Sequence, residues 1–356
     1  MPATADAQTA GEGVRADRRG ASAVTPEECI ARVHEAGPRV TVIGDYLLDG
    51  WWSGSADRVA REAPAPVVHL SERSESPGGA ANTALNLAAL GARVRAVGVV
   101  GDDDAADELR AQLAAAGVDV SGLRSVTGAS TTTKVRVTVA DHVLLRLDQD
   151  REEAWPIHVR EAFCERTEAA MIESDALLVC DYGSTLLDDL VVERLAAMRR
   201  PPLVVVDAHR PGRWSGLRPD IVTPNASEAE TLPGVSLGSG EERVERAIAA
   251  TDRLLEATGA AAIVVTLDRT GTVLLRSDRE PARTHAVPAP ERHASGAGDV
   301  FAAAITTSRA AGAPIEDAAR FAQGAANVAV RRAGTCVCSL EQLGEWFSSE
   351  REAAGP

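Results

Sequence analysis

Ser295-Gly296-Ala297-Gly298-Asp299 sets two glycines and a carboxylate directly before the apolar run Val300–Ile305. That run reads as the start of a buried helix, so a small turn opens onto a helix N-terminus. There the first backbone N–H groups have no intrahelical acceptor and the helix dipole is positive, which suits an anion. The glycines let the backbone approach that anion closely. Asp299, in the same first turn, suits proton abstraction from a hydroxyl that then attacks a bound phosphoryl group. The plainer reading of the same residues is a loop and a helix cap.

Other side chains would complete such a site. Asp45 and Asp49, behind Gly44, are carboxylates that accept hydrogen bonds from a polyol. Gly78, Gly79 and Asn82 bring backbone and an amide to the same polyol. Both groups also read as strand-end and helix-entry turns. Lys134, Arg136 and Arg146 lie on the polar side of a hairpin, where a phosphate on the substrate would engage them and where solvent is the alternative. Asn225 and Glu228, three apart just past a strand end, can face one spot. Mg²⁺ keeps most of its waters, so one or two such oxygens suffice; helix capping is the rival. Asn327 sits on the last long helix, where a packing role is the rival.

The elements that position these residues follow from periodicity. Thr25 caps a helix over 26–36 with Pro26 in its first turn. Apolar runs at 39–43, 94–100, 176–180, 203–206, 221–223 and 261–266 are predicted strands, with a further strand at 272–275. Helices are predicted over 81–90, 104–116, 157–173, 188–199, 241–258, 299–311 and 315–331. Repeated strand-then-helix units give a parallel sheet covered on both faces. Polar residues recur where strands end, at Asp45, Asp181, Asp207 and Asn225, so one cleft at the carboxyl ends collects them. Residues 65–70 are an edge strand beside Pro64 and Pro66. Residues 131–148 alternate as a hairpin, with Lys134, Arg136 and Thr138 on one face and Val135, Val137 and Val139 on the other.

The 356 residues carry a formal charge of −15, which argues against a nucleic-acid or anionic-membrane surface. No apolar run reaches a membrane span. Residues 1–24 lack an apolar core and read as a disordered extension rather than a secretory signal. Five scattered cysteines in an acidic chain read as reduced thiols in a cytoplasm. Cys336 and Cys338 have no second Cys/His pair nearby to make a zinc site.

Taken together, these stretches resemble the ribokinase-like, or PfkB, carbohydrate kinases over roughly residues 38–338. Both signature regions are present: Pro77–Asn82 with its helix, and Gly296–Asp299. Pro224-Asn225-x-x-Glu228 stands between them. The resemblance implies a three-layer α/β/α sandwich with a mostly parallel sheet and a small β lid within 46–71 and 131–148. It sets the kinase domain at 25–340 and leaves 341–356 as a C-terminal tail. It also implies ATP, Mg²⁺ and transfer of the γ-phosphoryl group to a sugar hydroxyl. By this resemblance Asp299 is the base, and the amides of Gly296, Ala297 and Gly298 form the anion hole. Asn225 and Glu228 act near phosphate and Mg²⁺, Glu228 largely through water. Thr266, Gly271 and Asn327 belong to the nucleotide side.

A narrower likeness is to the heptose 7-phosphate kinases, which phosphorylate the anomeric hydroxyl of D-glycero-β-D-manno-heptose 7-phosphate. It rests on Gly44-Asp45-x-x-Leu48-Asp49, Arg58, Glu62-Ala63-Pro64-x-Pro66-Val67-Val68 and Pro77–Asn82. Thr133-Lys134-x-Arg136, Arg146-x-Asp148 and Asp181-Tyr182 agree, and Asp181 joins the substrate side. Such kinases are often fused to a nucleotidyltransferase; with about 18 residues after Cys338, none is expected here. Three positions depart from the pattern. His293 replaces a common Asp in a monovalent-cation loop, which leaves that cation open. Ser184 and His209 stand where lysines are common. The alternatives are a kinase for ribose, fructose 6-phosphate or adenosine, or a non-catalytic binding homologue. The expected partner is a small sugar or sugar phosphate, with a homodimer through exposed lid edges.

Overall fold

The computed structural model describes residues 24–140, 142–287, 296–332 and 336–354. The extension before Val24, and His293 and Ser295, lie outside the described residues. In chain order the elements are α1 (Pro26–Ala36), β1 (Arg39–Gly44), β2 (Tyr46–Val59), β3 (Pro66–Gly79), α2 (Ala80–Ala89), β4 (Arg93–Val100), α3 (Asp104–Ala115) and β5 (Asp119–Ser125). Then follow β6 (Thr132–Val139), β7 (His142–Gln149), α4 (Ile157–Met171), β8 (Ala176–Asp181), α5 (Asp189–Ala196), β9 (Leu203–Ala208), β10 (Ile221–Val222) and α6 (Ala226–Ala229). The chain continues through α7 (Glu242–Ala249), α8 (Thr251–Thr258), β11 (Ala262–Thr266), β12 (Thr272–Leu275), β13 (Ala282–Thr284), α9 (Ala297–Ala310), α10 (Ile315–Ala329) and α11 (Leu340–Ala354).

Nine strands form the main sheet in the order β13-β12-β11-β10-β9-β8-β1-β4-β5. It is parallel from β11 to β5, and β12 and β13 add an antiparallel edge. Successive residues of each strand enter opposite cores, as period-two geometry requires. Val40, Val42 and Leu178 pack with α1, α2, α9, α10 and α11 on one face. Ile43, Leu177 and Val179 pack with α4, α5, α7 and α8 on the other. This is the three-layer α/β/α sandwich that the strand-then-helix rhythm implied.

A second sheet, ordered β3-β2-β6-β7, stands off the sandwich as the lid. β2 pairs antiparallel with β3 and parallel with β6, so Asp49 lies opposite Lys134. β3, which opens on Pro66, is an edge, as its proline pattern suggested. Within the 46–71 region, β2 is a 14-residue strand. The predicted helix 241–258 is two helices that break at Ala250. Val24, counted with the N-terminal extension, is buried and donates its N–H to Asp317. Residues read as a tail form α11, which buries Leu343, Trp346 and Phe347 in the core.

The chain leaves β1 for β4 and β5 on one side, then returns to β8 and moves outward through β9 and β10 on the other. The crevice between β1 and β8 is therefore the switch point where ligands bind in open α/β sheets. Gly44 ends β1 there; a Cβ on it would meet the Cys180 carbonyl oxygen at 2.1 Å. Only glycine lets β1 and β8 deliver Asp45 and Tyr182 side by side.

Candidate active site

α2 and α9 pack against each other and both begin at this crevice. Gly296 caps α9 with φ +80° and no side-chain hydrogen bond. The amides of Ala297 and Gly298 lie in the first turn, where no intrahelical acceptor exists. Among the described residues, a Cβ placed on Gly298 would meet nothing within 4 Å. The first-turn donors and the helix dipole suit an anion there.

Asp299 stands one residue further on. Asn82 Nδ2, from the first turn of α2, donates to its Oδ2 at 2.7 Å. Tyr182 Oη lies 2.8 Å from its Oδ1 and 2.7 Å from Asp207 Oδ2 at the end of β9. Thr223 donates its hydroxyl to the other Asp207 oxygen at 3.1 Å. Burial, and then the Asp207 charge, push Asp299 up to about 7 against the Asn82 and Tyr182 hydrogen bonds. Burial and the Glu228 charge push Asp207 up to about 7 as well. Asp299 is thus poised near neutrality, where a general base works best.

One side of the crevice is built from β1, β2 and the β3–α2 turn. Asp45 accepts the backbone N–H of Tyr182 at 2.8 Å and of Ser184 at 3.2 Å, and also the Ser184 hydroxyl. Burial lifts it to about 6. Gly79 takes φ +56°, and a Cβ there would meet the Asp45 carbonyl oxygen at 2.6 Å. Gly78 leaves room for the Asp49 carboxylate, whose Oδ2 a Cβ would meet at 2.3 Å. Asp49 pairs with Arg136 at 2.8 Å.

That pair changes the reading of the basic hairpin, because Arg136 is committed to Asp49. Arg146 is committed to Asp148 on an exposed face, at 2.7 Å. Lys134 does reach the crevice, in a cavity of about 150 Å³ that it lines with Asp45, Ser184, Asp150 and Arg151. Arg151, which no motif marks, stacks 4.8 Å from the Trp155 ring and pairs through Nη2 with the exposed Glu153 at 3.3 Å, while its buried Nε has no hydrogen-bond partner among the described residues. A lone Arg outside any motif gave no signal for it. Asp181 is turned out of the site: it accepts Trp214 Nε1 at 2.9 Å, the Gly183 N–H at 3.1 Å and Arg213 at 3.3 Å. It fixes the β8 loop rather than facing a ligand.

Across the crevice, Asn225 and Glu228 form a capping box on α6. Asn225 Oδ1 accepts the Glu228 N–H, and Glu228 Oε2 accepts the Asn225 N–H at 2.8 Å. Glu228 keeps Oε1, 3.9 Å from His209 Nε2, and burial raises its pKa. Thr266 bridges to Asn225 at the end of β11. Gly271 is buried in the turn between β11 and β12, and a Cβ there would meet the Thr284 carbonyl oxygen at 2.1 Å, so it lets that turn pack against the end of β13. Asn327 is also buried and accepts the Val287 N–H at 3.2 Å, tying that segment to α10. Among the described residues, no group of three His, Cys, Asp or Glu side chains is set to hold a metal ion by itself. This donor set fits Mg²⁺, which keeps its waters and takes its other ligands from nucleotide phosphates.

The chain matches the pfkB family carbohydrate kinase over residues 51–343, and it belongs to that family. It is a phosphotransferase that uses ATP and acts on a sugar hydroxyl. It is 36% identical over 321 residues to a bifunctional protein HldE of Aeromonas salmonicida, covering 88% of this chain and 64% of that one. To the bifunctional protein HldE of Alcanivorax borkumensis it is 37% identical over 308 residues, covering 86% and 63%. The chain thus spans less than two thirds of the length of these curated relatives. Phosphofructokinase-2 from Escherichia coli in complex with potassium superposes with a TM-score of 0.72 at 19% identity, covering 88% of this chain and 100% of that one. Arabidopsis thaliana ribokinase complexed with ribose and ATP gives 0.68 at 19% identity, covering 87% and 99%. These likenesses confirm the fold. Among the described residues no helix is long and apolar enough to cross a membrane.

Proposed function

We propose that this kinase phosphorylates the anomeric hydroxyl of D-glycero-β-D-manno-heptose 7-phosphate, with ATP and Mg²⁺, to give the 1,7-bisphosphate. The heptose-kinase motifs and the identity to the HldE proteins support the sugar. The choice of a phosphorylated substrate rests on one observation: Lys134 and Arg151 line the cavity that opens beside Asp45. A substrate whose reacting hydroxyl meets Asp299 and whose ring bonds Asp45 would carry its far end into that cavity. The Lys134 ammonium and Arg151 guanidinium suit a phosphate there.

In the reaction the Asp299 carboxylate takes the proton of the substrate hydroxyl. The freed oxygen attacks the γ-phosphorus, and the bond to the leaving ADP oxygen breaks. The Ala297 and Gly298 amides hold the phosphoryl oxygens, and Asn82 fixes the base in line. Positioning and charge stabilisation supply most of the rate. Glu228 and Asn225 would hold a hydrated Mg²⁺ brought with the nucleotide, which would supply charge neutralisation at the phosphates. A dimer through the lid is part of the proposal: Val143, Leu145 and Leu147 are exposed on the edge strand β7.

The test is ATP consumption with Mg²⁺ against heptose 7-phosphate, fructose 6-phosphate, ribose, fructose and adenosine. Turnover with heptose 7-phosphate, lost in Lys134→Ala and Arg151→Ala through KM, is the expected result. Turnover with an unphosphorylated sugar instead overturns the substrate assignment and leaves the kinase.

A further inference from the structure

Tyr182 Oη lies within hydrogen-bond distance of two carboxylates, 2.8 Å from Asp299 Oδ1 and 2.7 Å from Asp207 Oδ2. A phenol has one proton to donate. Two contacts this short each need a hydrogen, since otherwise lone pairs would face each other across one of them. The second hydrogen must come from one of the carboxyl groups. We infer that Asp207 is a positioning residue that shares one mobile proton with Asp299 through the Tyr182 phenol. The inference rests on Asp299 being the base of the reaction proposed above.

The two arrangements differ by one concerted shift. In the first, Asp207 carries the proton and donates it to Tyr182 Oη, while the phenol donates to Asp299. Asp299 is then ionised and ready to accept from the substrate. In the second, the Asp207 proton has moved to Tyr182 Oη and the phenol's own proton to Asp299 Oδ1. The net change is one proton from Asp207 to Asp299, with no electron transferred and no atom lost. Tyr182 is not the reservoir: burial and the two flanking carboxylates raise its own pKa far above the ordinary range.

The surroundings favour retention of that proton. Asp207 meets Thr223 from β10, the Glu228 charge from α6 and the buried Cys180 thiol from β8. Asp299 meets Asn82 from α2 and the Asp49 charge from β2. The His209 ring lies 5.4 Å from that of Tyr182. Among the described residues, the groups that perturb either carboxylate most include no lysine or arginine, so two full negative charges there repel each other in a buried setting.

The test is ¹³C NMR of carboxyl-labelled aspartate in the unliganded protein, with the Asp299 signal identified by its loss in Asp299→Asn. Wild type is expected to titrate in two steps. Asp207→Asn, which keeps the shape and removes the shared proton, should leave one step about one pH unit or more below the upper wild-type step. Tyr182→Phe removes the donor to Asp299 and should move its ionisation upward, with the acid limb of turnover following. A single Asp299 step, the same in wild type and both variants, overturns the inference. Because the titration needs no substrate, its outcome is separate from turnover. Two steps without turnover on any sugar would fail the kinase reading alone, and one step with turnover would fail the shared proton alone.

Discussion

Arg136 reaches across the lid to Asp49, Nη1 to Oδ1 at 2.8 Å, with its guanidinium carbon 5.1 Å from the centre of the Trp51 ring. The two side chains are 18% and 12% exposed, so the pair is largely shielded from water. Arg136→Ala would leave a nearly buried carboxylate without its counter-charge, at a cost of about 2–3 kcal/mol, below the fully buried range. Its denaturant midpoint should fall and the KM for sugar should rise. Lys134→Ala should raise KM for the phosphorylated sugar with no change in midpoint. An unchanged midpoint in Arg136→Ala would mean that the arginine is free to serve a ligand.

Asp299→Asn keeps the hydrogen bond geometry of the base and loses its basicity. We expect kcat to fall by about 10²–10⁴, with nucleotide affinity held within a few-fold because the Ala297 and Gly298 amides are untouched. Equilibrium nucleotide binding and single-turnover kinetics separate the two effects. Turnover near the wild-type value would remove Asp299 from the mechanism.

The legible parts of this molecule were those governed by local rules. The α1 capping box, the apolar strands and the turn before α9 each announce themselves within a few residues. So do Asp45, Asp49, Asn82 and Asp299, which sit at strand ends or helix starts that one crevice collects. What was hidden depends on partners distant in sequence. Nothing near Arg136 says that Asp49, 87 residues earlier, neutralises it. Asp181 ends a strand as Asp45 does, yet Trp214 and Arg213 turn it away. Tyr182 acquires its role only when β8, β9 and α9 converge. Gly271 and Asn327, assigned to the nucleotide side by resemblance, are both buried, Gly271 against the end of β13 and Asn327 on the Val287 N–H.

Two glycines give opposite expectations. In Gly78→Ala the new methyl would collide with Asp49 Oδ2 at 2.3 Å and Leu47 Cδ1 at 2.4 Å, so Asp49 must move. The sugar KM should rise and the melting temperature should drop. In Gly298→Ala the methyl meets nothing within 4 Å among the described residues, and stability should hold. That methyl occupies the approach to the helix amides, so the KM for ATP should rise. Equal effects of the two substitutions on ATP would contradict the open anion hole.

Asp45, at about 6, and Asp207 and Asp299, at about 7, are all held above their ordinary 3.8. The folded protein therefore binds these protons more tightly than the unfolded chain does. The stability they contribute is fully present below about pH 4 and is lost as pH rises through 6–7. The urea midpoint of the unliganded enzyme should decline from pH 5 to pH 8, and Asp299→Asn should flatten that decline. A midpoint that rises over this range would show these carboxylates to be ionised at little cost.

The Ser184 hydroxyl and N–H both bind Asp45. These bonds hold the Asp45 pKa down against its burial, which is the larger effect. Ser184→Ala removes the hydroxyl and leaves the two backbone donors, so the Asp45 pKa should climb further. A protonated Asp45 accepts fewer hydrogen bonds from sugar hydroxyls, so affinity for sugar should weaken as pH falls through that value. In Ser184→Ala this weakening should begin at a higher pH than in wild type. Ser184→Lys places an ammonium beside the same carboxylate, favours its charged form and should move the onset to lower pH. The measurement is sugar KM from pH 5 to pH 8 for the three proteins. Shifts in opposite directions for Ala and Lys establish Asp45 as a sugar-binding carboxylate whose charge Ser184 sets. If all three profiles coincide, Asp45 serves the β1–β8 junction and not the substrate.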